Sequence, residues 1–192
     1  MALHRRLSLL TAAAILAAAS PALAAPEARL VGRAVLPADS FRSGPTSGRF
    51  LGDKPVNGRQ GPFTGKQPVQ GFSGVIAKGD GTFWITSDNG FGFMENSADH
   101  ELRVYHVRPD FAGLGQTGSG RIEVLSHFTL HDPDRHLNYP ITNQFTADRK
   151  LVGTDLDLES FQRAADGTFW FGDEFGPYLI HTDATGKVLA PP

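Results

Sequence analysis

The sequence predicts an all-β fold, and three observations support this class. Short apolar segments alternate with turn residues along the chain after residue 24. No window there of about ten or more residues repeats its apolar positions at the helical period of about 3.6. The 192 residues include 22 glycines and 13 prolines, which interrupt helices and favour tight turns. Short strands joined by turns, without helices, are typical of all-β domains.

The predicted strands follow one another between glycine-containing turns. From residue 25 to about residue 70, glycine and proline interrupt the chain every few residues, and only Arg29–Leu36 has the pattern of a short strand. The strongest pattern covers Ile122–Leu130. Its alternation predicts one face with Glu123, His127 and Thr129, and an apolar face with Ile122, Val124, Phe128 and Leu130. Further strands are predicted at residues 83–86, 102–107, 168–171 and 178–182.

An internal repeat predicts how these strands are grouped. The segment Asp80–Trp84, with the sequence Asp-Gly-Thr-Phe-Trp, recurs unchanged 86 residues later as Asp166–Trp170. A period of 86 is close to twice the roughly 40–45 residues of one propeller blade. Each Asp-Gly pair suits a hairpin turn, and the Phe-Trp pair then enters a strand between neighbouring sheets. We therefore expect a β-propeller in which Trp84 and Trp170 belong to different blades and are largely buried.

The length of the chain determines how much of a propeller it can form. At roughly 40–45 residues per blade, residues 25–192 suffice for about three to four blades. We therefore expect residues 25–192 to form one propeller domain that is partial, namely the N-terminal portion of a longer one.

The first 24 residues have the pattern of a signal peptide. Arg5 and Arg6 precede an uncharged run rich in leucine and alanine, and Ala22-Leu23-Ala24 provides a small-x-small cleavage site. The apolar run is shorter than the roughly 20 residues that a membrane-spanning helix needs. We predict cleavage after Ala24, export to the periplasm or the medium by the general or the twin-arginine route, and no stable membrane anchor afterwards.

Composition and charge exclude several classes of function. Eighteen basic and 20 acidic residues leave a net charge of −2, which provides no basic surface for nucleic acid, so no nucleic-acid partner is expected. The absence of cysteine excludes disulfides, iron–sulfur clusters, thiolate zinc sites and cysteine nucleophiles. Ser73 lies in Gly-Phe-Ser-Gly rather than in the Gly-x-Ser-x-Gly motif, and no helix follows it, which disfavours a serine hydrolase.

Acidic residues in two segments are the main candidates for chemistry. Segment 155–159, Asp-Leu-Asp-Leu-Glu, would place three carboxylates on one face if its backbone were extended. Asp173 and Glu174 follow a predicted strand, and Asp88 has the corresponding position in the first copy of the repeat. Like charges so close together are tolerated where water solvates them or a cation binds. Oxygen ligands without cysteine or histidine suit Ca²⁺ or Mg²⁺ better than zinc.

Several segments resemble the phytase-like family, often described as "esterase-like activity of phytase". The likeness extends over roughly residues 71–189 and implies an exported bacterial β-propeller whose chains are about twice this long. Its recurring acids are thought to serve phosphoester hydrolysis, which implies roles for Glu159, Asp173 and Glu174, and then for Asp157 and Asp88. The segments that carry the resemblance are Gly71–Gly74, Asp88–Gly90, Asp157–Phe161, Asp166–Trp170 and Gly172–Pro177.

Two classes of function are compatible with these residues. The first is a metal-assisted hydrolase of small phosphoesters, in which Glu159 and Glu174 are catalytic and Asp88, Asp157 and Asp173 bind a divalent cation, Ca²⁺ rather than Mg²⁺. Basic candidates for binding the phosphate are Arg135, Arg149, Lys150 and Arg163. The second is a non-catalytic propeller that binds a ligand or partner and holds a structural Ca²⁺; a Ca²⁺-dependent lactonase is a further alternative. Convergence of acids from several blades on one end of the propeller's central channel would favour the hydrolase over the non-catalytic propeller.

Overall fold

The computed structural model describes residues 28–192, and these residues form nine β-strands and one 3₁₀ turn at Met94–Asn96. The predicted signal peptide lies outside the described residues. Within residues 28–192 no helix has the length and apolar character needed to cross a membrane. The strands are β1 (Phe41–Ser43), β2 (Lys66–Pro68), β3 (Phe72–Ala77), β4 (Phe83–Ser87), β5 (Arg103–Gly113), β6 (Gln116–Thr129), β7 (Leu158–Arg163), β8 (Phe169–Asp173) and β9 (Leu179–Thr182).

The strands form three antiparallel sheets in chain order. Strands β1 and β2 pair with each other, β3 to β6 form a four-stranded sheet, and β7 to β9 form a three-stranded sheet. Every neighbouring pair in a sheet is also consecutive in sequence, although residues 44–65 join β1 to β2 and residues 88–102 join β4 to β5. The predicted all-β class is therefore confirmed, whereas the closure of these sheets into a propeller remains a prediction.

The predicted strand at Arg29–Leu36 is wrong. This segment makes only two isolated bridges, one from Arg33 to Ala112 and one from Val35 to Arg121. The first bridge is antiparallel and the second is parallel, because the segment crosses from β5 to β6 near the end of their long hairpin. It therefore cannot continue a ladder with either strand.

The predicted apolar face of Ile122–Leu130 is also wrong, because β6 contains a β-bulge. Val124 pairs with Val107 and Ser126 pairs with His106, so one extra residue lies between them and the alternation changes face. Ile122 and Val124 accordingly pack with Tyr105 and Val107, whereas Phe128 and Leu130 pack on the opposite side of the sheet with Leu102 and Val104.

The two copies of the repeat form equivalent hairpins in different sheets, as predicted. In the β3–β4 turn, Asp80 Oδ1 accepts a hydrogen bond of 3.0 Å from the backbone N–H of Thr82. In the β7–β8 turn, Asp166 Oδ1 accepts the same bond from Thr168, also at 3.0 Å. The strands that follow are equivalent as well. His106 Nε2 of β5 lies 2.8 Å from Thr82 Oγ1, and His181 Nε2 of β9 lies 3.0 Å from Thr168 Oγ1.

The main core lies between the four-stranded and three-stranded sheets. The ring of Trp84 meets Phe169 edge-on at 6.2 Å between centroids, and Phe128 lies 5.4 Å from Phe169. Trp84 is therefore held between the sheets, although it is only partly buried. Trp170 is 41% exposed, so its predicted burial is wrong. It projects from the opposite face of its sheet, where it stacks on His181 at 4.1 Å.

Candidate metal centre

Three carboxylates meet at one end of the three-stranded sheet. Asp157 immediately precedes β7, Glu159 is the second residue of β7, and Glu174 immediately follows β8. One oxygen from each carboxylate lies within 4.8 Å of the others. Asp157 is buried, whereas Glu159 and Glu174 are exposed to solvent. We call these three residues the acidic triad. Its hard oxygen ligands and their spacing fit a divalent cation such as Ca²⁺ or Mg²⁺.

A β-bulge brings Glu159 toward the other two carboxylates. Leu158 pairs with Asp173 and Ser160 pairs with Gly172, so Glu159 is the extra residue in the ladder. Bulges of this kind redirect a side chain and are common next to active sites. The backbone N–H of Glu174 donates a 2.9 Å hydrogen bond to the carbonyl of Asp157, which fixes the two strand ends together.

Asn89 from the neighbouring sheet orients the buried member of the triad. Its backbone N–H donates to Asp157 Oδ1 at 3.1 Å, and its Nδ2 donates to Oδ2 at 2.7 Å. The Asn89 side chain is itself held by the N–H of Gly92, at 2.7 Å from Oδ1. Asn89 is not a candidate from the sequence, although it directly follows the candidate Asp88.

Asp173, a predicted cation ligand, organises the adjoining loop and is not a member of the triad. Its Oδ1 accepts hydrogen bonds from the N–H groups of Asp157 at 2.7 Å and Phe175 at 3.3 Å. Its Oδ2 accepts a bond from the N–H of Gly176 at 3.0 Å. Burial raises the pKa of Asp173 above its ordinary value, although these backbone donors act in the opposite direction.

Asp88, the other predicted ligand outside the triad, contributes a neighbouring charge. Its Oδ1 accepts a hydrogen bond of 2.7 Å from the N–H of Gly90. Burial, and secondly the charge of Asp157, raise the pKa of Asp88. Two sheets thus contribute acids to the same region, whereas convergence of acids from several blades on one end of a channel remains a prediction.

Asp155 does not share a face with Asp157 and Glu159, so the predicted row of three carboxylates is wrong. The chain turns at residues 153–155, before β7 begins. The Asp155 carboxylate instead accepts hydrogen bonds from the N–H groups of Thr142 at 2.7 Å and Val152 at 3.0 Å. The intervening Leu156 and Leu158 are fully buried in the core, so the apolar half of the pattern is confirmed.

The electrostatics of the triad favour a bound cation. Although Glu159 is largely exposed, partial desolvation of its carboxylate raises its pKa, and the charges of Asp157, Asp88 and Glu174 raise it further. A hydrogen bond to Ser73 acts in the opposite direction. Each neighbouring carboxylate therefore makes ionisation of Glu159 less favourable, and a cation among them would relieve this repulsion.

The acidic triad lies at the end of a hairpin whose backbone geometry occurs in both copies of the repeat. Asp157, Glu159 and Glu174 correspond, 86 residues earlier, to Gly71, Ser73 and Asp88. Ser73 is also the extra residue of a bulge, because Phe72 pairs with Ser87 and Gly74 pairs with Thr86. The N–H of Asp88 donates to the carbonyl of Gly71 at 2.6 Å, matching the bond from Glu174 to Asp157. The two hairpin ends thus have the same backbone geometry, but only the second has acidic residues at all three positions.

Two of the basic candidates for phosphate binding are engaged elsewhere. Arg149 is buried, and its Nη2 lies 3.1 Å from the carboxylate of Asp132. Lys150 Nζ lies 3.1 Å from the buried carboxylate of Glu101. These ion pairs connect the loops around β5 and β6, so Arg149 and Lys150 serve the fold.

Replacing Asn89 by alanine should weaken Ca²⁺ binding about 10- to 100-fold, because Asp157 would keep the backbone donor to Oδ1 but lose the amide donor that orients Oδ2. Isothermal titration calorimetry of the two proteins measures the change. Asn143→Ala is the matched control, since Asn143 Nδ2 donates to the carbonyl of Lys150 instead. An unchanged affinity in a folded Asn89→Ala protein would refute this role.

In the presence of a chelator, the stability gained by Glu159→Gln should increase as the pH rises. The pKa of Glu159 is raised in the folded protein, so its contribution to stability is present below its unfolded pKa and is lost as the pH rises through its folded pKa. Glutamine does not ionise and escapes this loss. Urea unfolding of both proteins between about pH 4 and pH 7 tests the prediction. A difference that shrinks with rising pH would contradict it.

Comparison with known proteins adds one finding. The family model described as "Phytase-like: Esterase-like activity of phytase" matches residues 67–192, a range that contains both copies of the repeat and the acidic triad. Neither the search of curated proteins nor that of solved structures returned a significant match.

Proposed function

The chain belongs to the phytase-like family, and from this premise we propose that it is an exported, cation-dependent phosphoester hydrolase. The observation that carries the proposal is the acidic triad, whose three carboxylate oxygens lie within 4.8 Å of one another on an open surface. Bare carboxylates repel a phosphate group, so this site could accept such a substrate only together with a cation. Ca²⁺ is the preferred cation because the ligands are oxygens and the surrounding loops are irregular.

The three residues have different roles in this proposal. Asp157 is the anchoring ligand, because it is buried and Asn89 holds its carboxylate. Glu159 provides a second ligand from the bulge of β7. Glu174 is exposed at the end of β8 and accepts the proton of the attacking water. When bound, the cation would neutralise the phosphate and lower the pKa of a coordinated water.

The exposure of the site supports one class of substrate. The two glutamates are exposed, so the site is open to small phosphoesters and to phosphate groups that project from larger molecules. The predicted signal peptide would place the enzyme in the periplasm or the medium, so its substrates would be phosphoesters found outside the cytoplasm. The mature protein would then begin at Ala25.

The proposal is tested by assaying the purified protein on a chromogenic phosphomonoester and a chromogenic phosphodiester. Hydrolysis should require Ca²⁺ or Mg²⁺, cease on chelation and return when the cation is restored. Calorimetry on the same preparation measures Ca²⁺ binding independently of turnover. Binding of Ca²⁺ without hydrolysis of either ester would overturn the enzyme in favour of the non-catalytic propeller with a structural Ca²⁺.

A further inference from the structure

A cleft opens between the four-stranded and three-stranded sheets, beside the β3–β4 turn. We call it the Trp84 cleft. Its volume is about 280 Å³, close to the lower limit for small-molecule pockets. The four-stranded sheet provides an apolar wall on one side, because Ile76 and Trp84 are only partly buried. The residues that line the cleft are Ile76, Ala77, Lys78, Trp84 and Arg163.

Two cationic side chains line the Trp84 cleft, one from each sheet. Lys78 Nζ lies 4.9 Å from the centroid of the Trp84 ring, and the guanidinium carbon of Arg163 lies 6.0 Å from that of Phe169. Within residues 28–192, Arg163 forms no ion pair. The carboxylate of Asp80 lies 3.9 Å from Lys78 Nζ and is largely exposed, so this pair is weak. Both cations are therefore available to an anion in the cleft.

The repeat shows that the shared hairpin does not require these two charges. Lys78 corresponds to Ala164 in the second copy, and Arg163 corresponds to Ala77 in the first. The backbone N–H groups of residues 78 and 164 make equivalent hydrogen bonds across their turns, at 3.0 and 2.9 Å. Each copy thus provides one cation that the other copy lacks, and the two cations line the same cleft.

The Trp84 cleft is distinct from the acidic triad. Glu159 and Arg163 are four residues apart on β7, which corresponds to about 13 Å of extended strand. Arg163 was a candidate for binding the phosphate from the sequence, but it lines the cleft at the opposite end of the strand from the triad. The cleft is therefore a separate site from the one proposed for phosphoesters.

We propose that the Trp84 cleft binds a small aromatic monocarboxylate, with its ring on Ile76 and Trp84 and its carboxylate between Lys78 and Arg163. The planar guanidinium of arginine matches the two oxygens of a carboxylate, and an aromatic ring packs favourably against tryptophan. Together with the Asp80 carboxylate, the two cations leave one positive charge, which favours a monoanion. A volume of about 280 Å³ has room for one ring and its acid group.

The fluorescence of Trp84 measures binding in the cleft directly. The chain has two tryptophans, so Trp170→Phe leaves Trp84 as the single one. Titration of this protein with benzoate should give a saturable change in fluorescence at millimolar concentrations. Benzamide has the ring without the charge, and acetate has the charge without the ring, so each should bind at least about 10-fold more weakly. Equal affinity for either compound, or no saturable change with benzoate, would overturn the proposal.

Substitution of either cation tests its contact with the carboxylate. Lys78→Ala and Arg163→Ala each introduce the residue type that the other copy of the repeat has, so the hairpins should be retained. In the Trp170→Phe protein, each substitution should raise the dissociation constant of benzoate at least about 10-fold. Arg108→Ala is the matched control, because Arg108 is an exposed arginine of β5 outside the cleft. Unchanged affinity after either cleft substitution would contradict the proposal.

Two further measurements separate the cleft from the site proposed for hydrolysis. Glu159→Gln should leave the affinity for benzoate unchanged, because Glu159 belongs to the triad and does not line the cleft. Phenyl phosphate, titrated with a chelator present to prevent hydrolysis, carries a second negative charge at pH 7 for which the cleft has no further cation. It should therefore bind no more tightly than benzoate. A loss of benzoate binding in Glu159→Gln, or tighter binding of phenyl phosphate, would overturn the assignment of this cleft to a carboxylate.

Discussion

Glu174→Gln is expected to lower the rate of phosphoester hydrolysis at saturating Ca²⁺ at least about 100-fold, the lower range for the loss of a general base. Glutamine preserves the shape of the side chain but cannot accept the proton of the attacking water. The backbone bond from residue 174 to the carbonyl of Asp157 is unaffected, and the side chain is exposed. The fold should therefore change little. The Ca²⁺ affinity should fall, because one of the three carboxylates of the acidic triad loses its charge, and saturating Ca²⁺ offsets that loss in the rate assay. Steady-state assays and calorimetry on one preparation separate the two quantities.

Comparison with Glu159→Gln distinguishes the base from a ligand. Glu159 is proposed to hold the cation, so its substitution should weaken Ca²⁺ binding together with the rate, and added Ca²⁺ should restore part of the activity. Glu123→Gln is the control, because Glu123 is an exposed glutamate of β6 that lies 3.4 Å from Arg108. Full activity of Glu174→Gln at saturating Ca²⁺ would exclude Glu174 as the base.

The hairpins could be predicted from the sequence, whereas the faces of the strands could be predicted only in part. The turns depend on local chemistry, since the Asp80 and Asp166 carboxylates bind N–H groups two residues later. Alternation along β6 predicted one apolar face, but the bulge between Val124 and Ser126 reverses it. A bulge depends on the partner strand, and a pattern within one strand does not contain that information.

The candidate site was predictable to a similar extent. Asp157, Glu159 and Glu174 were candidates from their sequence alone, and the structure brings them together. The sequence could not distinguish them from Asp173, whose carboxylate accepts backbone hydrogen bonds from Phe175 and Gly176 and from Asp157. Asp157 lies 16 residues away in sequence, so its contact with Asp173 depends on the pairing of β7 and β8. The repeat aligns Glu159 with Ser73, but the bulge at these two positions is evident only from the strand pairing.

The buried contact between the sheets should be the most sensitive point of the fold. Phe169→Ala should lower the free energy of unfolding by about 3–5 kcal/mol, the range for deleting a buried phenylalanine ring. Phe169 is 1% exposed, and its ring lies 6.2 Å from those of Phe161 and Phe171 and 5.4 Å from that of Phe128.

Phe145→Ala removes the same ring from a residue that is 91% exposed, and its effect should stay within about 0.5 kcal/mol. Urea unfolding followed by tryptophan fluorescence measures both variants, because Trp84 lies against Phe169 and reports on the separation of the sheets. Losing Phe169 leaves a cavity among the rings of Phe128, Phe161 and Phe171, which can fill it only partly. A cost below about 1 kcal/mol would mean that the two sheets do not depend on this ring for their packing.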